Sequence, residues 1–215
     1  MQEISNEQLD QKRIAFFNER ANSWLDNFYK DPVSGTYDRF KNEFDRLFSL
    51  IAIKPGDCIL DVGCGSGVLV PYILDRIGDS GVLYELDFAE KMIEANRKIH
   101  RDPRINFIVS NVVRMPLESG TCDGIICFSC FPHFGDKDAA MKSISHRLKQ
   151  GGWFAIAHFD SSDRLNNHHR NAGGPVEHDM LPPKKIMFNL CEDAGLKIEE
   201  FIDEHGFYLV MSKKK

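Results

Sequence analysis

The segment from Asp61 to Gly67, DVGCGSG, has the composition of a loop that holds a ligand. Its glycines let the backbone turn tightly and approach a ligand without an intervening Cβ atom. The acidic residue at its head attracts a cationic group and repels a pyrophosphate. The segment therefore predicts a binding site for a small molecule that carries a positively charged group.

The glycine spacing separates this loop from a dinucleotide-binding loop. A dinucleotide fingerprint is G-x-G-x-x-G and sets the pyrophosphate on a helix N-terminus. Counted from Gly63 and Gly65 the third glycine falls on Val68, and counted from Gly65 and Gly67 it falls on Val70. Neither register matches, so a nicotinamide-dependent oxidoreductase is the less favoured hypothesis for a protein with this loop.

From about residue 57 to residue 212, the sequence resembles the class I S-adenosylmethionine-dependent methyltransferases of the small-molecule type. Their first motif is an acidic residue followed by G-x-G-x-G, which here begins at Asp61. The resemblance implies that S-adenosylmethionine is the cofactor and that Asp61 serves its ammonium group. It assigns the methionine part of the cofactor to the loop residues Gly63, Cys64, Gly65 and Gly67.

A second acidic residue, Asp87, lies 20 positions after Gly67 in the segment LDFAEKM. The family pattern D-x-S-x-x-M matches here, except that Ala89 replaces the serine. The resemblance implies that Asp87 accepts hydrogen bonds from both ribose hydroxyls, a bidentate role that suits a carboxylate. Phe88 and Met92 are assigned to the same cofactor site, and a core position on a helix is the alternative for Met92.

The third motif departs from the family pattern at Asn111. The family usually has an aspartate here that accepts from the adenine amino group, whereas asparagine keeps an acceptor oxygen but has no charge. The resemblance also places the backbone N–H of Val112 against an adenine ring nitrogen. We assign Phe128, at the end of a later apolar run, to the same pocket.

Three histidines are the candidates for a catalytic base: His133, His158 and His169. Imidazole titrates near neutrality, and methyl transfer needs a base only if the acceptor is protonated. His158, His169 and His178 are also metal-ligand types, but they lack a recognised ligand spacing. The single Cys127-x-x-Cys130 pair is weak evidence for a metal or redox site, so no metal site is predicted and the cysteines are expected to be mostly buried thiols.

The elements that must position these residues alternate between apolar runs and helical stretches, as in a parallel α/β sheet. Strands are predicted at 58–62, 81–87, 105–110, 122–128, 153–158, 197–202 and 207–212. Helices are predicted within 8–29 and 40–51 and at 68–77, 90–100, 136–148 and 184–194. The expected fold is a doubly wound, seven-stranded, mostly parallel sheet with one antiparallel edge strand and helices on both faces.

We expect a single domain over residues 1–215. Residues 1–54 form an N-terminal helical extension that acts as a lid, and residues 55–158 form the cofactor-binding core. Residues 159–182 are predicted to be an irregular substrate-lid insertion, because loops of this length are usually functional or disordered. Residues 183–215 supply a C-terminal helix and a hairpin.

The composition of the sequence limits the classes of molecule that the protein is expected to bind. The 215 residues carry a formal net charge of −5, which argues against a nucleic-acid partner. No apolar stretch approaches the roughly 20 residues of a membrane helix, so no membrane partner is expected. The polar start MQEISNEQLDQ does not resemble a signal peptide, and a cytoplasmic location is expected. The oligomeric state stays open.

These observations predict methyl transfer from S-adenosylmethionine to a small-molecule acceptor, with release of S-adenosylhomocysteine. The acceptor atom is left open. Two alternatives remain: a regulatory protein that binds the nucleoside without turnover, and a nicotinamide-dependent oxidoreductase on the same fold.

Overall fold

The computed structural model describes residues 6–215. The first five residues lie outside the described residues. They belong to the predicted N-terminal extension and to the polar start of the sequence. The helices are α1 (Asn6–Arg20), α2 (Trp24–Phe28), α3 (Lys41–Leu50), α4 (Val70–Ile77), α5 (Glu90–Ile99), α6 (Lys137–Arg147), α7 (Ser162–Ala172) and α8 (Lys184–Asp193). The strands are β1 (Cys58–Val62), β2 (Val82–Asp87), β3 (Ile105–Val109), β4 (Cys122–Phe128), β5 (Leu148–His158), β6 (Leu196–Glu204) and β7 (Phe207–Lys214).

The seven strands found between residues 6 and 215 form one sheet in the order β3-β2-β1-β4-β5-β7-β6. Strands β1 to β5 are parallel to their neighbours, and β7 is antiparallel to both β5 and β6. The predicted mostly parallel sheet is confirmed. Its antiparallel strand lies second from the rim, because the β6–β7 hairpin places its second strand against β5.

Helices cover both faces of the sheet, as predicted. On one face, buried residues of α3 and α4 pack against β1 and β4, among them Phe44, Leu47, Ile73 and Ile77. On the other face, α6 and α8 pack against β4 and β5 through residues that include Met141, Ile144 and Met187. Burial on both faces explains why the central strands are nearly continuous apolar runs.

The sheet also fixes where a ligand can bind. Strand order reverses at β1, whose neighbours are β2 on one side and β4 on the other. In open α/β sheets a crevice forms at such a reversal, outside the carboxyl ends of the strands. The loops after β1, β2 and β4 therefore meet at one edge.

The N-terminal extension differs from a single helix over 8–29. Helix α1 ends at Arg20, a 3-10 turn spans Ala21–Ser23, and α2 follows. Asn22 and Ser23 are weak helix formers, since their short polar side chains compete for backbone hydrogen bonds. The amide of Asn27 donates to the Ser23 hydroxyl at 3.0 Å, which supports the break.

The prediction that residues 159–182 are irregular is wrong, because α7 occupies Ser162–Ala172. The hydroxyl of Ser161 accepts from the backbone N–H of Arg164 and caps its start. Gly173, with φ 64°, ends it. The helix is almost entirely polar, with His169 as its buried residue, so it has little of the apolar periodicity that marks a helix in a sequence.

Helix α6, predicted at 136–148, is capped by Asp136, whose carboxylate accepts from the backbone N–H of Ala139 at 2.9 Å. The helix ends earlier than expected, at Arg147, and β5 begins at Leu148 rather than at Trp153. None of the helices within residues 6–215 combines the length and apolarity required to span a bilayer.

Candidate active site

A cleft lies at the carboxyl ends of β1, β2 and β4. Its lining includes most of the predicted cofactor residues: Asp61, Gly63, Cys64, Gly65, Asp87, Phe88, Met92, Asn111, Val112 and Phe128. Gly67 lies outside the lining. The N-terminal extension adds further lining residues, namely Asp10, Phe17, Trp24 and Tyr29.

The glycine loop after β1 has the backbone conformation that its sequence demands. Gly63, Gly65 and Gly67 have φ values of 69°, 54° and 87°, in the left-handed region that favours glycine. A Cβ on Gly63 would lie 2.5 Å from Cys130 Cβ, and one on Gly67 would lie 2.4 Å from Asn96 Oδ1. Two of the glycines are therefore required by packing, whereas Gly65 faces the cleft.

Asp87 joins this loop to the start of α5. Its Oδ2 accepts from the Gly65 N–H at 2.9 Å, and its Oδ1 accepts from the Ala89 N–H at 2.8 Å. Burial raises the pKa of Asp87 to about 6, although the backbone donors act in the opposite direction. Each carboxylate oxygen keeps a further acceptor site, so the group can still accept from ligand hydroxyls.

Asp61 and Glu85 are paired in register on neighbouring strands, and both are buried. Burial, followed by the nearby Glu85, raises the pKa of Asp61 well above its ordinary value. Glu85 Oε2 accepts from Asn96 Nδ2 at 2.7 Å, and burial raises the pKa of Glu85 to about 8. Of the two, Asp61 lines the cleft, and Glu85 instead holds Asn96, the side chain that packs beside Gly67.

One oxygen of Asp61 offers a test of whether a cationic ligand group fits. Within the described residues, the buried Oδ1 atom has no hydrogen-bond partner. Such an acceptor is costly to leave unpaired. Because Asp61 lines the cleft, this acceptor fits an ammonium group such as that of S-adenosylmethionine.

Asn111 is engaged by the protein itself. Its Oδ1 accepts from the Val113 N–H at 2.9 Å and caps the 3-10 turn Val112–Arg114. Its Nδ2 donates to Asp10 Oδ2 at 3.3 Å. Asp10 lies on α1 and lines the cleft. It was not among the predicted site residues, because its position depends on how α1 docks.

The three predicted catalytic histidines have different environments. His133 lines the cleft from the 3-10 turn that follows β4. His158 and His169 are not part of the lining, and both are buried. Burial lowers the pKa of His158 to about 3, and burial also lowers that of His169. The His169 ring lies 5.1 Å from the His133 ring and its Nδ1 contacts the carbonyl oxygen of Asp179.

The carboxylate of Asp179 contacts both His133 and Arg13. Its Oδ2 lies 2.8 Å from His133 Nδ1 and accepts from Arg13 Nε at 3.1 Å, while its Oδ1 contacts Arg13 Nη2. Burial acts to raise the pKa of Asp179, but the bonds from His133 and Arg13 outweigh it and the net shift is downward. Arg13, a buried residue of α1, was also missed by the sequence analysis.

The metal-ligand types do not assemble. Among residues 6–215, no group of three or more His, Cys, Asp or Glu side chains is placed to hold a metal ion. The six cysteines, all within the described range, are free thiols, and five of them are buried. Cys64 and Cys130 lie beside the cleft, and the Cys130 thiol donates to the Val62 carbonyl at 2.8 Å.

Comparisons with known proteins agree with this geometry. Residues 60–156 match the family described as "Methyltransferase domain". Over 191 residues the chain is 25% identical to an O-methyltransferase of Aspergillus nomiae, which covers 84% of this chain and 80% of that protein. It is 29% identical over 133 residues to a ubiquinone/menaquinone biosynthesis C-methyltransferase of Vibrio parahaemolyticus, covering 60% of this chain and 51% of that protein.

A solved structure has the same fold along nearly the whole chain. It is a S-adenosylmethionine-dependent methyltransferase from Aquifex aeolicus, with a TM-score of 0.69 and 18% identity, covering 99% of this chain and 100% of that one. These findings favour the methyltransferase over both alternatives, and S-adenosylmethionine is the cofactor. The family match assigns a methyltransferase domain to residues 60–156, and these findings together support a class I S-adenosylmethionine-dependent methyltransferase.

Proposed function

We propose that the protein methylates a small molecule held beside His133. One observation carries the proposal: the cleft lined by Asp61 and Asp87 is also lined by His133. A cofactor bound by the two carboxylates and an acceptor bound near the imidazole would therefore share one space. Holding two reactants in attack geometry can contribute about 7–11 kcal/mol in good cases.

The roles of the cofactor residues follow from their contacts. Asp87 is fixed by two backbone donors and accepts from the ribose hydroxyls, while Asp61 accepts from the ammonium group. The adenine base of the cofactor packs against apolar side chains, namely Phe88, Met92 and Val112. When bound, S-adenosylmethionine supplies an electrophilic methyl group on a sulfonium sulfur.

His133 and Asp179 form the catalytic pair. Because Nδ1 of His133 lies against Asp179, the other ring nitrogen, Nε2, is the one available to an acceptor in the cleft. Asp179, whose pKa is lowered despite its burial by the hydrogen bonds with His133 and Arg13, orients the ring and stabilises the proton that His133 takes from the acceptor. The acceptor class is then a compound with an acidic proton near the receiving atom, such as a phenol or an enol.

The walls of the cleft favour a flat, apolar acceptor. Aromatic rings line it from several elements, namely Phe17, Trp24, Tyr29, Phe128 and Phe134. The similar proteins include an O-methyltransferase and an enzyme of ubiquinone/menaquinone biosynthesis. The net charge of −5 gives a nucleic-acid acceptor no electrostatic support. The free thiols support a reducing, cytoplasmic location.

The two predicted lid segments belong to this proposal. Residues 1–54 contribute Asp10, Phe17 and Tyr29 to the lining, and residues 159–182 contribute Asp179, which meets His133. We assign them the task of covering the bound acceptor and excluding water.

Calorimetry with S-adenosylhomocysteine, followed by turnover assays with simple phenols and quinols, tests the function. Binding of S-adenosylhomocysteine together with methylated product supports it. Binding without turnover of any acceptor would favour a regulatory protein, and enhanced fluorescence of a bound reduced nicotinamide would favour an oxidoreductase. Absence of both binding and turnover would refute the proposal.

A further inference from the structure

Asp10 places a fixed carboxylate at the end of the cleft where β3 ends. Its Oδ1 accepts from Arg13 Nη1 at 2.9 Å, and its Oδ2 accepts from Asn111 Nδ2 at 3.3 Å. Its side chain retains an exposed fraction of 26% and lines the cleft. The carboxylate is thus oriented from two sides and still accessible.

Asn111 is the weaker acceptor, because it is neutral. Its oxygen already accepts from the Val113 N–H, and its amide nitrogen donates to Asp10 itself. The neutral side chain therefore holds Asp10 in place, and Asp10 brings the negative charge to this end of the cleft.

We propose that Asp10 accepts a hydrogen bond from the exocyclic amino group of the bound adenine and makes the cleft selective for adenine. This inference rests on the proposed function, because it assumes that the nucleoside occupies the cleft with its ribose at Asp87. A carboxylate is a pure acceptor. It suits the amino group of adenine and opposes the carbonyl oxygen that hypoxanthine has at the same position.

Arg13 makes the arrangement rigid. It is buried, with 4% of its surface exposed, and it bonds Asp10 and Asp179 at the same time. The position of Asp10 is therefore set by an arginine that a buried carboxylate, Asp179, holds in place. A preoriented charged acceptor discriminates strongly, because the wrong base leaves it unpaired.

The test compares S-adenosylhomocysteine with its deaminated analogue, S-inosylhomocysteine, by calorimetry on the full chain. We expect the wild-type protein to prefer the adenine compound by about tenfold or more, the size of a hydrogen bond to a charged group. In Asp10→Ala the ratio of the two dissociation constants falls towards one. Glu7→Ala, which removes an exposed acid of the same helix, keeps the wild-type ratio.

The ratio of the two dissociation constants separates a loss of adenine recognition from structural damage. A poorly docked α1 would weaken the binding of both ligands alike. The isosteric Asp10→Asn tests the same point where the alanine variant folds poorly, and we expect its preference to shift towards the hypoxanthine compound. A wild-type ratio in both Asp10 variants, or no preference in the wild-type protein, would overturn the inference. A wild-type protein that binds neither compound would instead refute the proposed function.

Discussion

The Nδ1 atom of His133 lies 2.8 Å from Oδ2 of Asp179, although 46 positions separate the two residues. His133 belongs to the turn after β4, and Asp179 belongs to the segment between α7 and α8. Arg13, from α1, contacts the same carboxylate. These three side chains, of which His133 lines the cleft, therefore come from three distant parts of the chain.

This relationship predicts a selective catalytic defect in His133→Gln. We expect kcat to fall by about 10²- to 10⁴-fold, the usual contribution of a general base, because glutamine cannot take up a proton. The dissociation constant for S-adenosylhomocysteine should stay close to the wild-type value. Steady-state kinetics and calorimetry measure the two effects, and exposed His168→Gln is the control. An unchanged kcat in His133→Gln would show that His133 does not act as a general base.

Asp87→Ala should weaken S-adenosylhomocysteine binding by about 100-fold or more, because two hydrogen bonds to a charged acceptor are lost. At 100 times its dissociation constant a ligand stabilises the native state by roughly 2.7 kcal/mol, so the thermal shift of the wild-type protein should largely vanish in the variant. The matched control is Asp75→Ala, whose side chain is 83% exposed. A full thermal shift in Asp87→Ala would contradict the ribose assignment.

Glu85→Gln should stabilise the ligand-free protein at high pH. Burial raises the pKa of Glu85 from 4.5 to about 8, so between these values the folded carboxyl is protonated while the unfolded one is ionised. Stability from this group is therefore lost as pH rises through that window, by up to about 1.4 kcal/mol per pH unit. Glutamine resembles the protonated carboxyl and retains an acceptor for Asn96.

Thermal unfolding at two pH values checks whether the stability contributed by Glu85 falls as the pH rises. The melting temperature of Glu85→Gln should match that of the wild-type protein near pH 4.5 and exceed it at pH 8. Glu118→Gln, at an exposed position, should show no such divergence. A Glu85 variant that is less stable than wild type at pH 8 would mean that the carboxyl is ionised in the folded state.

Gly63→Ala and Gly35→Ala separate backbone strain from steric exclusion. Both glycines have positive φ, at 69° and 73°, so each alanine costs about 1–2 kcal/mol in strain. A Cβ on Gly35 meets nothing within 4 Å, whereas one on Gly63 collides with Cys130. Urea unfolding should therefore show that Gly63→Ala loses a further 1–3 kcal/mol or so. Equal losses would indicate that the loop moves freely.

The strands, and the positions of the motif residues at the sheet edge, were predictable because their signals are local. A buried parallel strand is a short apolar run, and the turn after it needs glycine wherever φ is positive. Asp61 and Asp87 follow such runs directly, so their places at the sheet edge follow from the strand pattern. The whole strand order then brings both residues to one cleft.

What the sequence did not predict depends on long-range docking or on weak periodicity. Asp10 and Arg13 lie on a helix whose orientation over the cleft is set by tertiary contacts, such as the bond from the Lys91 N–H to Asn18 at 2.9 Å. Helix α7 is polar and short of apolar positions, so a helix and a loop are hard to distinguish there. One sequence signal of the buried polar contact was overlooked. Asn96 is polar, yet it lies four residues after Met92 and therefore on the buried apolar face of α5.

The close fit around the glycine loop constrains how this sequence can diverge. Cys130 occupies the space beside Gly63, and Asn96 occupies the space beside Gly67. Enlarging either glycine by one methyl group therefore requires its partner to shrink or withdraw, and the left-handed backbone opposes the change as well. A change to the cleft wall at Cys130 therefore also changes the packing of the glycine loop at Gly63, and the two positions have to be varied as a pair.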